Sequence, residues 1–149
     1  MPLKREVVSC FEIMENTTST NTVVKLQTND ENQVLELSEF ELFEKDSFKC
    51  RLKVWSRGFG FEKDVFFDNV HNFIDQVEVM ASSLSGEAVL KEEYHDHYLK
   101  FQVTKLGHVI VSGTLIDYSH QDQHLEFGFK TDQTCLEPFS KELKQVFGC

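Results

Sequence analysis

The sequence contains little of what several protein classes require. Its 149 residues include two prolines, seven glycines and one tryptophan, and no apolar run is longer than three residues. A membrane-spanning helix needs about 20 consecutive apolar residues, and a collagen-like chain needs far more glycine and proline. With 40% apolar and 27% charged residues, the composition instead indicates a globular protein. The length predicts a single domain over residues 1–149.

Basic residues are also scarce. There are 15 lysines and arginines against 25 aspartates and glutamates, which gives a formal net charge of −10. Nonspecific binding to nucleic acid or to an anionic membrane needs a basic surface. The sequence therefore predicts neither a nucleic-acid partner nor a membrane partner, and it favours a basic protein as the partner.

The cysteines are few and do not form a disulfide framework. They are Cys10, Cys50, Cys135 and Cys149, with no C-x-x-C pair among them. Small disulfide-stapled domains are denser in cysteine, so we expect reduced, structural thiols. The alternatives are one isolated bridge, or a reactive thiol at Cys135 or Cys149. The first residues contain Lys4 and Arg5 but no apolar segment of signal-peptide length, and we expect a cytoplasmic protein.

Two segments have the apolar spacing of amphipathic helices, at about residues 69–84 and 135–147. Asp68 or Asn69 precedes the first helix as its predicted N-cap. Thr134 and Glu137 have the spacing of a capping box at the start of the second.

Several other segments alternate apolar and polar residues with the period of two that marks half-buried antiparallel strands. They are residues 47–57, 99–104 and 125–130. Segment 108–117 is apolar at both parities, which predicts a central strand, and residues 5–13, 22–28 and 33–43 are further predicted strands. The predicted class is α+β, with an antiparallel β-sheet of about six to eight strands and two amphipathic helices. Most of the 14 phenylalanines should lie in the core, since the ring has no polar group. The segment Gly58–Gly60 is expected to bend or bulge a strand.

A stripe of basic residues on segment 47–57 has acidic candidates on the preceding strand. If the numbers of two facing residues add up to an even number, Glu41 lies opposite Lys49 or Arg51. Glu39 then lies opposite Arg51 or Lys53. We therefore interpret the stripe as the partner of its neighbouring strand rather than as a nucleic-acid site.

Two glycines, Gly113 and Gly128, fall inside adjacent predicted strands. Such positions indicate a close approach of other atoms or, as the alternative, a ligand slot.

No catalytic constellation is present. The sequence has no P-loop, no G-x-S-x-G and no H-E-x-x-H motif. His124 and Glu126 form an H-x-E fragment, but the P-C-x-x-C that a zinc deaminase needs is missing. We predict no catalytic residue, no cofactor and no metal. The alternative is a metal site built on His95 and His97, which would share one face of a strand.

The strongest candidate for a partner interface is an acidic segment that also carries tyrosines. Its residues are Glu92, Glu93, Tyr94, Asp96 and Tyr98. On a strand the two tyrosines and Asp96 share one face, opposite His95 and His97, and tyrosine is enriched at protein interfaces. The alternative is an ordinary solvated end of a strand.

A wider pattern resembles a known family. Its elements are a strand around Leu52 and Trp55, the pair Phe67-Asp68, a helix with Phe73, a strand entering Thr131–Thr134, and a helix with Phe139 and Leu143. Over about residues 35–147 this pattern is similar to the WapI-type bacterial immunity proteins and related small domains. The resemblance implies a protein that binds and blocks a cognate toxin domain, often a nuclease, and it implies no catalytic residues. An acidic inhibitor suits a basic toxin because opposite charges speed association.

The sequence thus favours a non-catalytic cytoplasmic protein-binding domain that neutralises a toxin. One alternative is a small-molecule-binding domain, which predicts a pocket of a few hundred Å³ lined by phenylalanine and a few polar groups. The other is the histidine-based metal-dependent enzyme.

Overall fold

The structure is a computed structural model, and it describes residues 22–28, 30–44, 46–92, 97–117 and 123–148. The N-terminal half contains β1 (Val23–Lys25), β2 (Gln33–Phe43), β3 (Ser47–Ser56), β4 (Phe59–Phe67) and α1 (Val70–Ser83). The C-terminal half contains β5 (Glu87–Lys91), β6 (Tyr98–Val103), β7 (His108–Asp117) and β8 (Gln123–Asp132). A 3₁₀ turn (Gln133–Cys135) then leads into α2 (Leu136–Phe147).

The strands form two antiparallel sheets, β1-β2-β3-β4 and β5-β6-β7-β8. Within each sheet the described strands pair in the order of the sequence, and a helix follows each set of four, so a ββββα unit occurs twice. The α+β class, the eight strands and both helices confirm the prediction from the sequence. The sequence did not indicate that the strands would divide into two sheets. Between β4 and β5 the only bridge among the described residues joins Asp68 to Lys91, because α1 carries the chain from one sheet to the other.

One hydrophobic core joins the inner faces of both sheets and both helices. Eight of the 13 phenylalanines within the described ranges are buried, which confirms the expected role of these rings. They are Phe40, Phe48, Phe67, Phe73, Phe101, Phe129, Phe139 and Phe147. The ring of Phe101 lies 5.6 Å from that of Phe73 on α1 and 5.3 Å from that of Phe139 on α2. Phe101 therefore links the second sheet to both helices.

Strand β2 contains a β-bulge that the sequence analysis did not anticipate. Ser38 pairs with Arg51 and Glu41 pairs with Lys49, so β2 has one extra residue between these two pairs. Glu39 lies in the left-handed region with φ 50°. Upstream of the bulge the odd-numbered leucines face the core, and downstream Phe40 does. The bulge thus keeps apolar residues on one face where a regular strand would turn half of them to solvent.

The glycine-containing segment after β3 is a tight hairpin turn, so the expected bend or bulge is corrected. Arg57 (φ 51°) and Gly58 (φ 90°) join Ser56 directly to Phe59. Positive φ at both central residues matches the twist of a two-residue hairpin. Gly60 is needed because the Trp55 ring lies over it, and a Cβ there would be 2.3 Å from Trp55 Cε3.

Asn69 is the N-cap residue of α1, one of the two predicted positions, but the cap of the second helix differs from the predicted one. Asn69 precedes α1 in the left-handed region and its side chain makes no capping bond. Asp46 supplies the cap instead, because its carboxylate accepts a hydrogen bond from the backbone N–H of His71 at 3.0 Å, and its carbonyl oxygen accepts from that of Val70 at 3.2 Å. At the second helix the Thr134 box is replaced by Asp132, which caps the 3₁₀ turn.

Replacing Asp46 with alanine is expected to lower the free energy of unfolding by about 0.5–2 kcal/mol, the usual cost of losing an N-terminal cap. Asp46→Asn keeps an oxygen acceptor and tolerates the left-handed backbone, since φ at this residue is 69°. It should therefore retain most of the stability. Urea unfolding followed by circular dichroism would measure both variants, and an equal loss in the two would contradict capping by the side chain.

Candidate functional site

The basic stripe on β3 is paired with acidic residues on both neighbouring strands. Lys49 Nζ lies 3.9 Å from Glu41 and 3.8 Å from Asp64, while Arg51 lies 3.5 Å from Glu62 and from Asp64. The pairing of Glu41 with Lys49 is as predicted. Glu39 was expected opposite Arg51 or Lys53, which is wrong, because the bulge places Ser38 and Glu36 there.

The histidines of the described ranges do not assemble a metal centre. No group of three or more His, Cys, Asp or Glu side chains able to hold a metal occurs among the described residues. His97 is buried, and its Nδ1 accepts a hydrogen bond from the backbone N–H of Ile116 at 3.4 Å. His95, the other member of the alternative metal pair, lies outside the described residues.

The two cysteines in the described part of the chain are buried free thiols. Cys50 lies in the first sheet, where burial raises the pKa of its thiol far above the ordinary range and the nearby Asp64 raises it further. The Cys135 thiol donates a hydrogen bond to the carbonyl oxygen of Gln27, and its sulfur lies 3.2 Å from Thr131 Oγ1. Both environments fit the expected structural role. Cys10 and Cys149 lie outside the described residues.

The predicted acidic interface spans the part of the chain between the end of β5 and the start of β6. The backbone N–H of Glu92 donates to the carbonyl oxygen of His97 at 3.2 Å, and Lys91 pairs with Tyr98. Tyr98 is 37% exposed while His97 is buried, so these two residues point to opposite sides as expected. Glu93, Tyr94 and Asp96 lie outside the described residues.

A cleft that no sequence pattern indicated lies at one end of the molecule, between the two sheets. We call it the end cleft; its volume is about 550 Å³. Its lining residues are Asp30, Gln33, Arg57, His108, Gly128, Phe129, Lys130, Thr131 and Asp132. They come from four separated segments, namely the start of β2, the β3–β4 turn, the start of β7 and the end of β8. Most of the lining residues are polar or charged and only one is a phenylalanine, unlike the phenylalanine-lined pocket that the small-molecule alternative predicted.

The carboxylates of the end cleft are engaged in local turns. Asp30 Oδ1 accepts a hydrogen bond from the backbone N–H of Asn32 at 2.8 Å, and Asp132 Oδ1 accepts from that of Thr134 at 2.9 Å. The backbone and side-chain hydrogen bonds of Thr134 lower the pKa of Asp132, and the neighbouring His108 lowers it further.

We expect Asp132 to titrate at a lower pH in the folded protein than in an unfolded peptide of residues 129–137. Because the folded pKa is depressed, the stabilisation by this carboxylate is present above its unfolded pKa. It is lost as the pH falls through the folded pKa. Carboxyl carbon NMR shifts would measure both midpoints, and identical midpoints would contradict the cap.

The comparisons with known proteins give one decisive result. The model of the immunity protein WapI-like family matches residues 18–148, nearly the whole chain. The chain belongs to this family. The resemblance inferred from residues 35–147 is thereby confirmed and extended towards the N-terminus. No curated protein sequence matches this WapI-like chain significantly.

A solved structure has the same fold. A chain in the crystal structures of Trypanosoma bruciei MRP1/MRP2 superposes with a TM-score of 0.50 at 9% identity, and the match covers 91% of this chain and 88% of that one. At this identity the likeness concerns the fold alone. Within the described ranges of the WapI-like chain, no helix is long and apolar enough to cross a membrane.

Proposed function

We propose that this chain is a non-catalytic immunity protein that binds a cognate toxin domain in the cytoplasm and blocks its activity. The observation that carries the proposal is the match to the WapI-like family over residues 18–148. The net charge of −10 supports a basic toxin, because complementary charge raises the association rate and disfavours wrong partners.

We further propose that the acidic segment Glu92, Glu93, Tyr94, Asp96 and Tyr98 contributes to the contact with the toxin. Tyr98 offers an exposed ring on the outer face of the second sheet. Tyrosine adds a large contact area at low cost in conformational entropy, and the acidic neighbours would attract a basic surface.

The test uses the purified protein and the toxin domain encoded beside its gene. Size-exclusion chromatography and titration calorimetry should show a stable complex that weakens as salt is raised, and co-expression should relieve growth arrest by the toxin. A toxin that neither binds nor is inhibited would overturn the proposed function. If the affinity for the toxin does not change with salt, only the proposal that the toxin is basic is contradicted.

The proposed contact segment has its own test. Tyr98→Ala should weaken the complex, whereas Phe66→Ala, which truncates an exposed ring on β4 of the first sheet, serves as the matched control. Equal affinities of the wild type and Tyr98→Ala would remove this segment from the contact while leaving the immunity function intact.

A further inference from the structure

We infer that the end cleft binds an extended segment of the partner protein that carries an acidic side chain. In this arrangement the segment pairs with the free edge of β8, and Arg57 and Lys130 bind its carboxylate. The inference rests on the proposed function, since it names a surface and a chemistry for the contact with the toxin.

The first support is the position of β8 as an edge strand. It is ten residues long and pairs with β7 on one side, and no other described strand pairs with it. Its residues 128–132 form one wall of the end cleft. An edge strand presents unpaired N–H and C=O groups along its length, and an extended peptide can add to such an edge by main-chain hydrogen bonds.

The second support is the charge that the end cleft leaves available. Asp30 and Asp132 already accept backbone hydrogen bonds in their own turns. Arg57 and Lys130 form no ion pair with any described residue. The charged side chains that remain available to a ligand are therefore the two cations, Arg57 and Lys130. A guanidinium group matches a carboxylate in bidentate geometry, so the cleft favours an acidic side chain.

The third support is a buried acceptor in the cleft wall. Gln33 is 7% exposed, and its Oε1 has no hydrogen-bond partner within the described part of the chain. Buried polar atoms in folded proteins are nearly always satisfied. An acidic residue in an extended segment supplies the carboxylate that the two cations lack, at a cleft wall whose own polar groups are not all satisfied.

The fourth support is the apolar rim beside these polar groups. Trp55 and Phe59 flank Arg57 on the β3–β4 hairpin and are 44% and 71% exposed. Leu106, two residues before His108, is 84% exposed. Tryptophan and arginine contribute much of the binding energy at protein interfaces. A toxin with a positive net charge can still bind here, because the cleft contacts only one acidic side chain of that toxin.

The end cleft and the proposed acidic segment can belong to one interface. Tyr98, Thr114 and Glu126 form one cross-strand row of the second sheet. Lys130 lies four residues farther along β8, roughly 13 Å at about 3.3 Å per residue. A standard interface buries about 800 Å² on each partner, which is enough to cover both ends of this strand.

The experiment compares variants in the complex with the toxin domain encoded beside the gene. Arg57→Asn suits the left-handed backbone of the turn and removes the charge, and Lys130→Gln removes the second. The double variant should weaken the complex at least tenfold. Lys141→Gln, on the exposed side of α2, removes one charge away from the cleft and should change the dissociation constant less than twofold.

Amide hydrogen exchange gives a second and independent readout. In the wild-type complex, the backbone amides of residues 128–132 should become protected. Unchanged affinity of the double variant, or protection confined to residues 92–98, would overturn the end cleft as the site and leave the proposed function standing. Failure of the wild-type protein to bind the toxin would overturn both.

Discussion

Phe101→Ala is expected to lower the free energy of unfolding by about 3–5 kcal/mol, the usual cost of truncating a buried aromatic ring. Phe101 has no exposed surface, and its ring contacts Phe73 on α1 and Phe139 on α2. The truncation therefore removes apolar burial and leaves a cavity where the second sheet meets both helices.

Urea unfolding would measure this change, with Phe59→Ala as the matched control. The Phe59 ring is largely exposed at the start of β4, so its removal should cost well under about 1 kcal/mol of folding stability. Phe101→Leu keeps most of the apolar volume and should lie between the two. A loss below about 1 kcal/mol for Phe101→Ala would contradict the packing of both helices on this ring.

Gly113→Ala is expected to destabilise the fold by about 3 kcal/mol, at the upper end of the cost of overpacking. A Cβ on Gly113 would lie 2.5 Å from the carbonyl oxygen of Tyr98 and 2.7 Å from Phe127 Cε1. The first contact is with backbone of the adjacent strand β6, which cannot move aside without breaking the ladder. The added methyl group must therefore separate β6 from β7.

Gly128→Ala is the matched control because the same change is made one strand away. Near a Cβ on Gly128 the closest heavy atom is 3.9 Å away, an ordinary contact. Alanine also loses less backbone entropy than glycine on folding, so this variant should stay within about 0.5 kcal/mol of the wild type. Thermal unfolding of both variants tests the contrast, and similar melting temperatures would refute the close approach at Gly113.

The sequence predicted the local elements well because their periodicity is a local property. The apolar spacing located both helices within one residue of their observed ends, and the predicted strands 33–43 and 108–117 coincide with β2 and β7. Strand β4 was missed, because residues 59–64 are mostly exposed and do not alternate clearly. Strand β5 was missed as well, because it is only five residues long. The side chain of Asp46, which accepts the capping hydrogen bond at α1, was missed for a different reason. The donor and acceptor of this bond are 25 positions apart, and no local pattern connects them.

The same difference between local and long-range contacts explains which parts of the candidate sites were predicted. The pairing of Glu41 with Lys49 followed from two adjacent strands and was predicted. The end cleft was not, because it exists only after the two sheets come together and bring Gln33, Arg57 and Lys130 to one place. Its only local signal was the Arg57–Gly58 turn, and we interpreted that segment as a bend. The composition and the missing motifs argued against several classes of function, and the WapI-like family is the basis of the proposed one.

The pairing of successive strands within each of the two sheets also determines how this chain should fold. Since the described strands of each sheet pair in the order of the sequence, each hairpin closes a short loop and loses little chain entropy. Such local pairings form early and quickly. The two helices, α1 and α2, are in contact although they lie some 65 positions apart in the sequence. This contact therefore forms only after both sheets have formed. The slow step is then the docking of two preformed halves, and the shared phenylalanine core forms at that step.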